Sequence, residues 1–169
     1  MRTPSTQPAW EDAVIDYLRH LARLSEVGYN IDEWVYPTEY HFLLARGRRF
    51  TPAEPPTDVE GMKPKLCYSN AAQYVRKHQK TGLLYAEGYA LPPQGVLPVA
   101  HAWCVHPDGA VVDPTWTDEP GGVYIGVAVR DAARWPKNGD GILHNPGAAR
   151  GLLTAEVPAG VLAPWGRPL

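Results

Sequence analysis

Val99-Ala-His101-Ala-Trp103-Cys-Val-His106-Pro-Asp-Gly109-Ala-Val-Val-Asp113-Pro-Thr-Trp116 holds two apolar, β-branched runs on either side of a turn. The runs read as strands over 98–106 and 110–115. Pro107 suits the first central position of a type I turn and Asp108 tolerates the second. Gly109 then supplies the left-handed residue of a three-residue loop with a bulge. Such a loop pairs position 106 with 110, so odd positions on one strand face odd positions on the other. His101 and Asp113 then share a face, one diagonal step apart. Diagonal neighbours are about 7–8 Å apart, within reach of long side chains. An imidazole–carboxylate hydrogen bond is therefore expected. A two-residue Asp-Gly loop would shift the register by one and point the two residues to opposite faces.

Working outward, Lys65-Leu66-Cys67-Tyr68-Ser69-Asn70-Ala71 opens a helix over about 67–80, with Ala71, Tyr74 and Val75 on its apolar face. Arg76, Lys77 and Lys80 gather in its last turns, where the helix dipole favours cations, and Gly82 stops it. Residues 10–26 read as an earlier helix, with Val14, Leu18, Leu21 and Leu24 as one stripe, Glu11 and Asp12 in its first turn and Gly28 at its end. Residues 1–9 read as a loose tail, 38–45 as a short helix and 51–64 as a proline-rich surface loop. Further strands are expected at 83–90 and 123–129, an irregular stretch at 131–150 and a short strand at 151–157. Arg46-Gly-Arg-Arg49 reads as a solvated loop. Helices first and antiparallel strands after give an α+β domain, its N-terminal helices packed on an antiparallel sheet.

A chain of 169 residues suits one such domain, and 44% hydrophobic residues with six Trp and nine Tyr suit a folded globule. A net charge of −2 without like-charge blocks gives no reason to expect nucleic acid or a membrane as partner. No segment approaches the roughly 20 apolar residues of a membrane span. The first residues lack the apolar centre of a secretion signal, so the cytoplasm is the expected compartment. Two cysteines make no disulfide framework, and no Cys/His spacing suits zinc.

Cys67, His101 and Asp113 together are the parts of a cysteine nucleophile. A thiol attacks poorly until a base takes its proton, and the base works best when a third group fixes its tautomer. The helix start offers Cys67 free backbone N–H groups and partial positive charge, which favour a thiolate and an oxyanion. Each residue also has a plainer reading: a buried free thiol, a core histidine, an aspartate starting a turn.

The segment from Cys67 to Trp116 resembles the core of the transglutaminase-like superfamily, the papain-related cysteine enzymes. The resemblance rests on Cys67 at a helix start, His101-Ala102-Trp103 on a strand and Asp113-Pro114-Thr115 after the next, at separations of 34 and 12 residues. It covers about 50 residues of the chain. It implies a transglutaminase-like or papain-like core and a triad of nucleophile, general base and orienter. It also implies acyl transfer through a thioester, with no metal or organic cofactor, on a peptide, protein or small amide. Leu66 and Tyr68 flank the nucleophile where relatives carry Gly-x-Cys or Trp-Cys, and Tyr36 and Tyr40 are the candidate oxyanion donors.

Around the trio, Tyr40, Tyr68, Asn70, Trp103 and Trp116 are candidate pocket residues; Trp103 suits core packing better than a wall, and Trp116 suits either equally. Glu87 reads as outward-facing on an edge strand and Cys104 as structural. His20 and His78 read as solvated, and His41 and His144 have no evident partner. Asn138-Gly-Asp140-Gly reads as a turn that echoes a calcium loop. Hydrolase, transferase and inactive binding module on the same fold remain the competing functions. A contact surface on the aromatic 29–50 segment is a third reading.

Overall fold

In the computed structural model, which describes residues 7–26, 34–137 and 139–169, the Pro107-Asp108-Gly109 turn closes as a three-residue loop. The His106 N–H donates to the Ala110 carbonyl at 3.0 Å, and Gly109 takes φ +86°. β3 (Val99–Val105) and β4 (Val111–Val112) pair antiparallel, with Cys104 opposite Val112 and Val105 opposite Val111. This is the register that puts odd positions opposite odd positions. β4 is shorter than expected because Asp113 leaves the ladder to begin a turn, its Oδ1 accepting from the Thr115 and Trp116 N–H groups.

Helices α1 (Gln7–Ser25), α2 (Glu39–Arg46), α3 (Cys67–Lys77) and α4 (Pro146–Leu153) pack on one face of a sheet that also contains β1 (Arg48–Phe50), β2 (Leu84–Leu91), β5 (Val123–Val129), β6 (Leu162–Ala163) and β7 (Arg167–Pro168). Strand order is β4-β3-β2-β5-β1-β7, with β6 beside β5, and every neighbouring pair is antiparallel. A parallel bridge from Thr51 to Ala110 joins the end of β1 to the start of β4, so the sheet curls on itself. The result is an α+β fold with an apolar core on each face of the sheet. One core holds Tyr85, Tyr89, Ala102, Cys104 and Ile125 with the helices; the other holds Phe50, Trp103, Val105, Val111 and Tyr124 inside the curl. No helix among the described residues is long and apolar enough to cross a membrane.

Several expectations are corrected. α1 begins at Gln7, so residues 7–9 are helical and Glu11 and Asp12 fall beyond its first turn. Its buried line runs Glu11, Val14, Ile15, Leu18 and Ala22, while Leu24 is exposed. Leu24 stands ten positions past Val14, about 80° off its face at 3.6 residues per turn. Gly28, Asn138 and residues 1–6 lie outside the described residues. Arg48 and Arg49 are a strand, not a solvated loop. Arg48 donates to the Gly166 carbonyl, and Arg49 pairs at 3.2 Å with Glu11, which is buried and also meets Arg167. The stretch 131–150 contains a 3-10 turn at Ala132–Arg134 and the start of α4. Residues 151–153 are helical because Asn145 caps α4 through the Gly147 and Ala148 N–H groups and Pro146 takes its first position.

Candidate active site

α3 lies along β3 through the face that carries Ala102 and Cys104, and the Cys104 thiol donates to the Ala71 carbonyl at 3.2 Å. Cys104 is fully buried, and burial pushes its thiol well above its ordinary value. At the helix start, Leu66 offers no side-chain cap, and the first-turn N–H groups are not covered by one. Lys65 precedes it in the left-handed region at φ +65°.

His101, on the opposite face of β3, donates from Nε2 to Asp113 Oδ2 at 2.8 Å. Both residues are buried. Cys67 lies near enough to the same ring to act on its protonation, and since Nε2 is taken, Nδ1 is the ring nitrogen left free for the sulfur. The structure therefore joins His101 to Asp113 and brings Cys67 near that pair. Burial lowers the His101 pKa, but the hydrogen bond to Asp113, the nearby Cys67 and the carboxylate charge outweigh it and raise it to about 9. Burial likewise raises Asp113, yet His101, the Thr115 N–H and the Tyr124 hydroxyl bring it below the usual carboxylate range.

Two neighbours complete this arrangement. Tyr124, which the sequence did not single out, donates its hydroxyl to Asp113 Oδ2 at 2.9 Å and accepts from the Gly121 N–H at 2.9 Å. Asp113 thus accepts from four donors. Trp116 lies flat on the imidazole, with ring centroids 3.8 Å apart and planes 7° apart, so it walls the site. Trp103 is fully buried at 6.3 Å from the His101 ring and belongs to the core inside the curl. Gly126 makes room for it: a Cβ there would come within 2.8 Å of the Trp103 ring.

The remaining candidates divide. Asn70 is buried and ties the site together, donating to the Lys63 carbonyl at 2.8 Å and to Thr115 Oγ1 at 3.0 Å. It locks the segment before Cys67 to the turn after Asp113 and does not face a cleft. Tyr68 is half-buried, its ring 6.1 Å from that of His144. Tyr40 packs on Tyr89, ring centroids 5.9 Å apart. Tyr36 is buried edge-on to Phe42. His41 meets Thr38 and Glu26, and His78 stacks on Tyr74 beside Asp58.

Glu87 is the largest departure. β2 is central, between β3 and β5, and Glu87 points inward. It accepts from the Tyr85 hydroxyl at 2.6 Å and from the Ile142 and Leu143 N–H groups at 2.7 Å each. Burial raises its pKa despite these bonds. The segment it anchors carries Gly141, where a Cβ would meet both Glu87 and Tyr68 at 2.5 Å, and His144. A groove of about 780 Å³ lies beyond, lined by Trp34, Glu39, Tyr40, Leu143, His144 and Arg150 among others. Neither this groove nor three other clefts of about 230–530 Å³ is lined by Cys67, His101 or Asp113. Among the described residues no group of three or more His, Cys, Asp or Glu is placed to hold a metal ion. No protein-family model, no curated protein and no solved structure matches this chain.

Proposed function

We propose that this chain is a cysteine acyl-transfer enzyme of the transglutaminase-like, papain-related kind. The observation that carries the reading is one buried imidazole bonded at Nε2 to Asp113 at 2.8 Å, with Cys67 near enough to act on its protonation. That is the geometry of nucleophile, base and orienter.

In the acylation step the Cys67 proton passes to His101 Nδ1 as the sulfur bonds to an amide carbonyl carbon. The imidazolium, held by Asp113, then gives its proton to the leaving nitrogen as the C–N bond breaks. This leaves a thioester and a free amine. Water attacks the thioester carbonyl, yields its proton to His101, and releases a carboxylic acid and the thiol; an amine in place of water gives a new amide. The uncapped N–H groups at the start of α3 are suited to the oxyanion. Hydrolysis is the favoured outcome for this chain. The second reading is an inactive binding module on the same fold. It is favoured by the fact that none of the four clefts is lined by the triad.

Limiting iodoacetamide near pH 6, with the adduct mapped by mass spectrometry, tests the proposal. Cys67 is expected to react far faster than Cys104, and His101→Ala to slow it. Equal, slow labelling of both thiols would sink the enzyme reading.

A further inference from the structure

The groove of about 780 Å³ between the start of α2 and the 143–153 segment carries chemistry that the cysteine site does not use, and its lining includes neither Cys67, His101 nor Asp113. A concave site of several hundred Å³, mostly apolar with a few polar groups, is the usual form of a small-molecule site. Its two walls are fixed. At one end the Tyr36 N–H donates to the Leu153 carbonyl at 3.0 Å. Behind them the buried Tyr89 ring lies 5.9 Å from that of Tyr40 on one wall and 6.2 Å from that of His144 on the other. The second wall is anchored by Glu87, 1% exposed, which accepts from the Leu143 N–H at 2.7 Å, and Asn145 caps the helix that carries Arg150. The groove is therefore built before a ligand arrives.

Its charges point to the ligand. Glu39 opens α2 on one wall, and Arg150 lies in the last turn of α4 on the other. They have opposite signs and line one groove, yet among the described residues neither forms an ion pair. The Glu39 carboxylate is near enough to Tyr40 to act on the protonation of its hydroxyl, so negative charge stands beside that ring. An ammonium group is attracted both by a carboxylate and by an aromatic face, and a guanidinium forms paired N–H bonds to a carboxylate. A ligand with one charge would satisfy one wall and leave the other unmatched. Leu143 and Leu153 give the apolar part of the lining.

We infer that this groove is a second ligand site, and that it takes a zwitterion with a flat or branched apolar body: a free amino acid or a free-ended dipeptide. The ammonium group lies against Glu39 and the Tyr40 ring, the carboxylate meets Arg150, and the body rests on His144, Leu143 and Leu153. The inference does not rest on the function proposed above, because none of these residues belongs to the Cys67, His101 and Asp113 set.

Titration calorimetry on the full chain tests this with L-tryptophan, the dipeptide phenylalanyl-leucine and glycine as probes. Tryptophan or the dipeptide is expected to bind with a Kd below about 1 mM, and glycine, which has the charges without the body, far more weakly. The N-acetylated and C-amidated forms of the tighter probe should each bind about tenfold or more weakly than the free form. Glu39→Gln should erase the penalty for acetylation and leave that for amidation; Arg150→Gln should do the reverse. Arg150 is exposed and Glu39 half-buried, so neither change threatens the core. Cys67→Ser should bind as the wild type does. No binding by tryptophan or the dipeptide overturns the site. Capped forms that bind as tightly as free ones, or penalties that survive both substitutions, overturn the zwitterion. Loss of binding in Cys67→Ser overturns the separation from the sulfur. The iodoacetamide labelling of Cys67 is read independently, so failure of this site and failure of the enzyme reading are distinguishable.

Discussion

Tyr124→Phe removes a single oxygen that two partners use. The hydroxyl donates to the ionised Asp113 and accepts from the buried Gly121 N–H, both at 2.9 Å. A hydrogen bond to a charged group contributes about 1.5–3 kcal/mol, and an unsatisfied buried donor costs about 1–3 kcal/mol. The two losses share one oxygen and overlap, and phenylalanine keeps the ring and opens no cavity. The expected destabilisation is therefore about 3 kcal/mol, or roughly 6–12 °C in Tm for a chain of this size. The effect should reach the nucleophile as well. Tyr124 is one of the groups that lower Asp113, a lesser one than His101, so its loss lets the carboxylate rise toward its ordinary value. Freed of one donor, the carboxylate is more basic and accepts more strongly from the imidazolium, so the His101 pKa should rise further above its ordinary value. Urea unfolding gives the first quantity; the pH profile of Cys67 alkylation, or the His101 ring resonances in an NMR titration, gives the second. A loss below about 0.5 kcal/mol together with an unmoved profile would show that Asp113 does not depend on this hydroxyl.

Stability should also depend on pH in a way traceable to the pair. Folding raises His101 from 6.5 to about 9, so its contribution is full below about pH 6.5 and is lost as pH climbs through 9. Asp113 is lowered, so its share is present above the ordinary carboxylate value and fades only in stronger acid. The stability gap between the wild type and His101→Gln should shrink by roughly 2–3 kcal/mol from pH 6 to pH 9 in urea titrations; a constant gap would contradict it. Glu87→Ala strips the acceptor from two backbone N–H groups and a tyrosine hydroxyl. A loss of about 4 kcal/mol is expected, with faster hydrogen exchange at the Ile142 and Leu143 amides; unchanged protection there would show that the segment holds itself.

The hairpin was legible because its chemistry is local. Pro107, Asp108 and Gly109 dictate the loop, the loop dictates the register, and the register puts His101 and Asp113 on one face. Cys67 at the helix start was legible for a similar reason. What escaped lies in long-range pairing. Glu87 looked like an edge residue because nothing in its neighbourhood shows that Ile142 and Leu143, some 55 residues on, will bring it two N–H donors. β1 is three residues long and mostly charged, and its strand character comes from β5 and from the C-terminal β7. α4, by contrast, carries a local signal: Asn145-Pro146 is a helix start, which the reading of 131–150 as irregular and 151–157 as a strand did not use.

The aromatic residues explain why the pair sits where it does. An imidazolium is costly to bury, and on this strand it is offset on two fronts. Along its edge, Asp113 supplies the opposite charge, itself fixed by three further donors. Over its face, Trp116 lies 3.8 Å away, a distance at which a cation is attracted to the indole π system and the ring cannot tilt freely. Gly121 and Gly126 keep this geometry possible, since a Cβ at either would come within 2.9 Å of the ring atoms of Trp116, Tyr124 or Trp103. The imidazole is thus held in plane and in tautomer before any substrate arrives. The orientation on which base catalysis depends is a property of the core inside the curled sheet, while the sulfur is delivered by a helix packed on the other core. A displacement of α3 along β3 would therefore break the Cys67–His101 contact without disturbing the His101–Asp113 bond. Asn70, bonded both to Lys63 and to Thr115, is the side chain placed to prevent it.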